Sequence, residues 1–138
     1  MLGSVASISV SALVAASKRI ENTARNVVNA NTVGSPVVPP SPTEELLGSA
    51  AYKPTRVEQF SLAGGGVGTR TRPTGRPSQP LFDPTSPLAN SEGRVDSPNV
   101  DLAGQFTEAR LALDSYRANI KAIETADRML GSVLEISS

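Results

Sequence analysis

The chain has 138 residues, enough for one small domain, and its formal net charge is zero. Aromatic residues make up only 4% of it and apolar residues 38%, so we expect no deep globular core. It contains neither Cys nor His, which excludes thiol nucleophiles, imidazole acid–base catalysis and the usual zinc sites. The charge balance also argues against a nucleic-acid partner or an anionic membrane held by bulk electrostatics.

The first 17 residues are uncharged, but they do not have the order of a signal peptide. A signal peptide carries its positive residues before the apolar run, whereas Lys18 and Arg19 follow the run here. The serines in this segment make it too polar for a membrane span. We therefore expect the segment to stay in the mature protein, without a cleaved signal peptide and without membrane insertion.

Residues 1–33 form the first predicted part of the chain, a proline-free helix. An apolar stripe recurs on one face at helical spacing. It consists of Leu13, Ala16, Ile20, Ala24 and Val27, extended backwards by Ala6 and Ser9.

The last turns of this helix carry four asparagines, Asn22, Asn26, Asn29 and Asn31, although asparagine is a poor helix former. One interpretation is that their amides, which both donate and accept, bridge helices packed against identical neighbours. The other is that they lie on a solvated face, with Asn31 just past the helix end in a left-handed conformation. The residues alone do not decide between the two.

Residues 34–100 form the second part, which holds all eleven prolines and eight of the eleven glycines. A β-hairpin is predicted near residues 56–72, with Gly64–Gly66 as its turn. The flanking stretches, 34–49 and 73–87, are predicted to be extended, mobile connectors punctuated by proline. Carboxylates in these connectors have no apolar pocket to shift their pKa, so we expect no enzyme activity and no cofactor.

Residues 101–138 form the third part, a helix with Pro98 and Asp101 as its start signal and Asp101 as N-cap. Two interleaved seven-residue series predict a coiled-coil seam. One series is Phe106, Leu113, Ile120 and Leu134, broken by Asp127, and the other is Ala109, Tyr116, Ile123 and Leu130. The predicted fold is therefore mainly α with a small β middle. Its long terminal helices pack as an antiparallel coiled-coil pair, with a Pro/Gly-rich connector and a β-hairpin between them.

Two segments resemble the flagellar rod and hook proteins. The stretch "SALVAASKRIENTARNVVNANTVGS" is similar to their N-terminal motif, with matches at Asn26, Asn29, Ala30, Asn31 and Thr32. The stretches "SPLANSEGRVDSPNVDL" and "SYRANIKAIETADRMLGSVLEI" resemble the C-terminal end of the basal-body rod members, and most closely a proximal-rod member. The matching positions are Pro87 to Asn90, Glu92, Gly93, Val95, Pro98 to Asp101, Tyr116, Ala118, Asn119, Thr125, Ala126, Met129 and Leu130. The insert at Pro36–Pro42 and Arg94 depart from the family pattern.

The resemblance implies a structural subunit of the bacterial flagellar rod, which spans the periplasm. It implies helical assembly through the terminal helices, which would transmit torque and form an export channel. The implied partners are copies of the chain, other rod proteins and the flagellar export apparatus, with no nucleic acid, metal or small-molecule substrate. Two alternatives are a coiled-coil adaptor or needle-like component of a related type III secretion system, and a wall hydrolase of the rod tip. The hydrolase would need a second domain.

The residues that we expect at assembly interfaces combine the asparagines, the helix stripes and the C-terminal motif. They are Asn22, Asn26, Asn29, Asn31, Leu13, Ile20, Val27, Asn90, Gly93, Pro98, Asn99, Asp101, Phe106, Leu113, Tyr116, Asn119, Ile120, Ile123 and Leu130.

Overall fold

A computed structural model describes residues 2–36 and 50–136. In chain order the elements are α1 (Leu2–Val28), β1 (Thr55–Ser61), β2 (Val67–Pro73), β3 (Ser78–Phe82), β4 (Arg94–Pro98) and α2 (Leu102–Ile136). The prediction of a long helix at each end and a small β middle is confirmed. Most of the proline-rich insert at 36–42, and of the first predicted connector, lies outside the described residues.

The chain divides into two compact units. The first contains Met1–Thr23, Val57–Thr71 and Phe106–Ser138, and the second contains Ala24–Arg56 and Arg72–Gln105. Each unit therefore combines segments of both terminal helices with segments from the middle of the chain.

Helix α1 ends at Val28, directly before Asn29 and Asn31. The amide of Asn29 donates to the carbonyl of Arg25 at 3.1 Å, and that of Ala30 donates to the carbonyl of Val27 at 3.2 Å. The spacing of these bonds shortens from four residues to three, which is typical of a helix end. Arg25, in the last turn, adds a favourable interaction with the negative end of the helix dipole.

Small and polar side chains make up the buried side of α1. We call the following run of buried and half-buried positions, spaced by three and four residues, the α1 seam: Ser9, Ala12, Ala16, Arg19, Thr23 and Asn26. The predicted apolar stripe is only partly right. Leu13, Ile20 and Val27 are half-buried beside the seam, and Ala24 is exposed. The buried face of α1 therefore consists of small and polar residues rather than of its most hydrophobic ones.

Helix α2 has a comparable run, which we call the α2 seam: Gln105, Ala109, Ala112, Tyr116, Asn119, Ile123 and Ala126. The predicted series through Ala109, Tyr116 and Ile123 lies on it. The other predicted series is displaced by one residue, because Phe106 is 63% exposed and Ala112 is fully buried. Asp127 is exposed and so does not interrupt the seam. Whether the two seams pack as a coiled coil remains a prediction.

The predicted N-cap of α2 is confirmed. The Oδ1 atom of Asp101 accepts from the amide of Gly104 at 3.1 Å, and the carbonyl of Asp101 accepts from the amide of Gln105 at 2.9 Å. An N-cap carboxylate satisfies one of the free amides of the first turn and interacts favourably with the helix dipole. Asp101 therefore fixes where α2 begins.

The predicted β-hairpin is confirmed as the pair β1–β2. The amide of Leu62 donates to the carbonyl of Gly66 at 3.1 Å, and the amide of Gly65 donates to the carbonyl of Leu62 at 2.9 Å. Gly65 and Gly66 have φ angles of 88° and 94°, in the region that side chains disfavour. The glycine run thus serves a tight turn.

The second predicted connector is wrong, because residues 78–82 form strand β3, which pairs antiparallel with β4. Gly34 extends this sheet by exchanging two hydrogen bonds of 2.8 Å with Asp96. Pro80 is opposite Asp96 in the register. Because the Asp96 backbone bonds Gly34 on its other side, Pro80 and Asp96 form a non-hydrogen-bonded pair, and the backbone of Pro80 points away from β4. A proline at such an edge position costs no ladder bond. The prolines that argued against a strand are thus compatible with an edge strand.

Candidate assembly site: a buried asparagine and exposed apolar helix faces

Asn26 is a predicted site residue whose side-chain amide is fully hydrogen-bonded. It is 1% exposed. Its Nδ2 donates to the carbonyl of Thr55 at 2.7 Å and to Oε1 of Gln105 at 2.9 Å. Its Oδ1 accepts from the hydroxyl of Tyr52 at 3.0 Å and from the amide of Thr55 at 3.1 Å. All four bonding positions of the amide are therefore used within the chain. We call Asn26, Tyr52, Thr55 and Gln105 the Asn26 cluster.

The other three asparagines of α1 have different surroundings. Asn29 is half-buried and donates from Nδ2 to the carbonyl of Arg25 at 2.8 Å, a bond within its own helix turn. Asn22 is half-buried and Asn31 is exposed. The two interpretations left open by the sequence thus divide among the residues. Asn26 bridges helices, but within one chain. Asn31 follows the helix end and is exposed, but its φ is not positive, so the predicted left-handed conformation is wrong.

An ion pair joins the two terminal helices in the first unit. The Nε atom of Arg19 lies 2.5 Å from Oε1 of Glu108, and the Arg19 side chain is only 16% exposed. The hydrogen bond that Arg19 donates to Glu108 raises the pKa of the Arg19 guanidinium, and burial, which lowers this pKa, offsets part of the effect. The guanidinium therefore stays charged, and it donates a charge-assisted hydrogen bond between the two helices.

Ser11 fastens the tip of the β1–β2 hairpin to α1. Its hydroxyl donates to the carbonyl of Ile8 at 2.7 Å and accepts from the amide of Val67 at 3.0 Å. A Cβ atom on Gly66 would lie 2.6 Å from the Ser11 Oγ, and one on Gly65 would lie 3.4 Å from the Ile8 side chain. The hairpin can approach the helix this closely because its turn is made of glycine.

The C-terminal motif residues close the loop between β3 and β4. The Oδ1 atom of Asn90 accepts from the amides of Glu92 and Arg94 at 3.0 and 2.9 Å. Gly93 has a φ of 72° and donates to the carbonyl of Asn90 at 2.9 Å. An Asn side chain that bonds nearby amides is typical of a tight turn. These two predicted site residues therefore shape the backbone.

The remaining predicted site residues differ in exposure. Pro98 is buried in β4, and Asn99 is exposed and donates from Nδ2 to the carbonyl of Arg76 at 3.2 Å. Those that are half-buried on α2 are Leu113, Tyr116, Asn119, Ile120 and Ile123; Asn119 bonds the Ser115 carbonyl at 2.8 Å. Phe106 and Leu130 are exposed.

Large apolar side chains are exposed along both terminal helices, whereas the seams hold small residues. On α1 they are Val5, Ile8, Val10, Val14 and Val28, and on α2 they are Leu102, Phe106, Leu111, Met129, Leu130 and Val133. Met129 and Val133 are four residues apart on α2, so they are neighbours on one helix face. Neighbouring exposed apolar side chains of this kind mark candidate sites where a protein binds another.

Sequence reasoning missed Gln105, Thr55, Ser11 and the Arg19–Glu108 pair. Gln105 could have been found, because it begins the alternation of three and four residues through Ala109 and Ala112. Thr55 acts through its backbone, so its side chain gives no signal. In the described ranges no helix is long and apolar enough to cross a membrane. No group of potential metal ligands occurs there either.

Comparison with known proteins gives a consistent result. The family model described as flagellar basal body rod FlgEFG protein, C-terminal, matches residues 91–136. A flagellar basal-body rod protein FlgC from Salmonella typhimurium is 32% identical over 127 residues, which cover 91% of this chain and 90% of that protein. A FlgC from Escherichia coli O6:H1 is 30% identical with the same coverage. A FlgC from Bacillus subtilis is 41% identical over 56 residues, covering 41% of this chain and 37% of that protein. The chain belongs to the FlgC family of flagellar basal-body rod proteins.

Proposed function

We propose that the chain is a structural subunit of the proximal flagellar rod and that it assembles through its terminal helices with copies of itself and with other rod proteins. The observation that carries this proposal is the distribution of side chains on those helices. Their buried side chains are Ala, Ser, Thr and Asn, whereas many of their large apolar side chains are exposed. Assembly would bury the exposed groups and supply the stabilisation that the small seams lack.

In this assembly the helices line the inner tube, form the channel for exported subunits and transmit torque, while the middle of the chain faces outward. The predicted interface residues that are exposed on the helices, Phe106 and Leu130, contribute apolar contacts to neighbours. Asn26 acts differently, because its partners are in its own chain. This assignment rests on family membership together with the exposed helix faces.

We also propose that the flagellar export apparatus delivers the chain across the inner membrane and that residues 1–17 are retained. The support is that α1 is one continuous helix from Leu2 to Val28, and that Ser9 and Ala16, two of its buried residues, belong to this segment. Cleavage after residue 17 would remove half of the α1 seam. The mass of the protein from isolated basal bodies tests this, and a mass that lacks residues 1–17 would contradict it.

The test of assembly compares two double variants of α2. Met129 and Val133, which are 57% and 60% exposed, are both changed to Gln. The matched control changes the exposed Lys121 and Glu124 to Gln, which leaves the net charge unaltered. Because all four side chains are exposed, both variants should match the parent in stability to within about 0.5 kcal/mol.

Incorporation into basal bodies should differ between the two. Burying two such apolar side chains at an interface contributes roughly 3 kcal/mol, which corresponds to roughly 100-fold in an equilibrium constant. We expect the Met129→Gln/Val133→Gln chain to be absent from isolated basal bodies and its strain to be non-motile. The control chain should be incorporated and its strain should be motile. Equal incorporation of the two variants would contradict assembly through this face of α2.

A further inference from the structure

We infer that Asn26 is the residue that sets the alignment of the last turn of α1 against the first turn of α2, with Gln105 as its matching partner. This role goes beyond rod assembly, because it concerns how a single chain selects one arrangement of its helices. The inference rests on the completeness and the polarity of the Asn26 cluster.

The orientation of the Asn26 amide is fixed by the backbone. The Thr55 amide can only donate and the Thr55 carbonyl can only accept. Their bonds of 3.1 and 2.7 Å therefore assign Oδ1 to one side of the Asn26 side chain and Nδ2 to the other. With Nδ2 oriented in this way, the group that meets it from α2 must be an acceptor. Gln105 supplies one through Oε1 at 2.9 Å.

Neighbouring positions on α2 could not replace Gln105 without a cost. Leu102 and Ala109, one turn away, do not accept a hydrogen bond. Asp101 and Glu108, also one turn away, do accept, but their carboxylates already bond the Gly104 amide and Arg19. A slip by one turn would thus leave a buried Nδ2–H of Asn26 without a partner, or take a carboxylate from the cap of α2 or from Arg19, and either is unfavourable.

Apart from the Arg19–Glu108 pair, the seams give the chain mostly small side chains with which to choose an alignment. Alanine recurs on both seams, at Ala12 and Ala16 of α1 and at Ala109, Ala112 and Ala126 of α2. Small, similar side chains offer almost the same contacts after a slip. A single buried asparagine is known to specify the alignment of paired helices in coiled coils. Asn26 has the geometry for that role here.

The experiment measures the alignment directly. The chain has no cysteine, so Val28→Cys and Leu102→Cys, at positions 80% and 44% exposed, can carry a single pair of spin labels on the two helix ends. A slip by one helical turn changes their separation along the axis by about 5 Å, which dipolar broadening in electron paramagnetic resonance resolves. We expect one narrow distance in the full-length parent chain. Two distances in the parent would overturn the inference.

Three changes at position 105 separate alignment from general stability. Gln105→Glu keeps an acceptor for Asn26 and should retain the single distance. Gln105→Lys has similar length and polarity but only donors, and Gln105→Leu has neither. In both of these we expect the slipped population to rise about fivefold, as the loss of one hydrogen bond implies. Equal label distances in the Glu and Lys variants would refute the role of Gln105 as the matching acceptor.

Two changes on α1 complete the test. Asn26→Leu should give the same second distance as Gln105→Leu, whereas Asn29→Ala should not, because among the described residues the Asn29 side chain bonds a carbonyl of its own helix. If Asn26→Leu unfolds the chain, the comparison of Gln105→Glu with Gln105→Lys still decides the question. A single unchanged distance in both Asn26→Leu and Gln105→Leu would overturn the inference.

Discussion

Gly66→Ala should destabilise the chain by two separable effects. The φ of 94° at this position costs a residue with a side chain about 1–2 kcal/mol. The added Cβ atom would lie 2.6 Å from the Ser11 Oγ, so the serine must move away from the Val67 amide. The loss of that hydrogen bond costs about 1 kcal/mol. The sum is about 2–3 kcal/mol.

Gly64→Ala is the matched control in the same turn. A Cβ atom on Gly64 would meet nothing within 4 Å, and its φ is not positive. This change should be neutral or should stabilise the chain by about 0.5 kcal/mol, because it restricts the unfolded state. Both values follow from urea unfolding monitored by circular dichroism. With a slope of about 2 kcal/mol per M, the midpoint for Gly66→Ala should fall by about 1 M.

A double-mutant cycle with Ser11→Ala isolates the contact with the helix. In that background the hydroxyl is already absent, so Gly66→Ala should cost only the backbone part, about 1–2 kcal/mol. The two changes together should therefore cost about 1 kcal/mol less than their sum. Additive costs, or equal costs for Gly64→Ala and Gly66→Ala, would refute the proposed fastening of the hairpin to α1.

Three further changes test other parts of the structure by the same unfolding assay. Gly93→Ala should cost about 2 kcal/mol, because its φ is 72° and its Cβ atom would lie 3.0 Å from Pro84; Gly75→Ala, which meets nothing within 4 Å, should cost little. Asp101→Ala should cost about 1 kcal/mol through loss of the N-cap, and Asp101→Asn should restore most of it. Asp127→Asn should leave the stability within about 0.5 kcal/mol, because Asp127 is exposed; a loss above 1 kcal/mol would mean that its carboxylate is needed within the chain.

The helices and the first hairpin were predictable because their signals are local. Proline-free ends, the Asp101 cap and the glycine turn at Gly64–Gly66 each act over a few residues. The seams were harder to predict. A hydrophobic periodicity follows the larger side chains. On α2 it therefore selects Leu113, whereas the buried residue is its neighbour Ala112. Packing in this protein favours the small residue at the closest contact, which a hydrophobicity pattern does not register.

Strand β3 was missed for a different reason. Pro80 argues against a strand when the sheet is unknown, and only the pairing with β4 reveals that it lies on an outward edge position. The Asn26 cluster likewise depends on a backbone partner at Thr55 and on Gln105, 79 residues away in sequence. The sequence indicated that the asparagines are unusual, but their partners follow from tertiary structure alone.

The central claim is that the chain is a structural subunit of the basal-body rod. It is tested most directly by electron microscopy of basal bodies isolated from a strain whose gene for this chain has been deleted. We expect basal bodies without a completed rod. The full chain should restore the rod, and a chain lacking residues 1–31 should not, because that deletion removes α1 and with it the Asn26 cluster. Rods of normal length and a motile strain in the absence of this chain would contradict the claim.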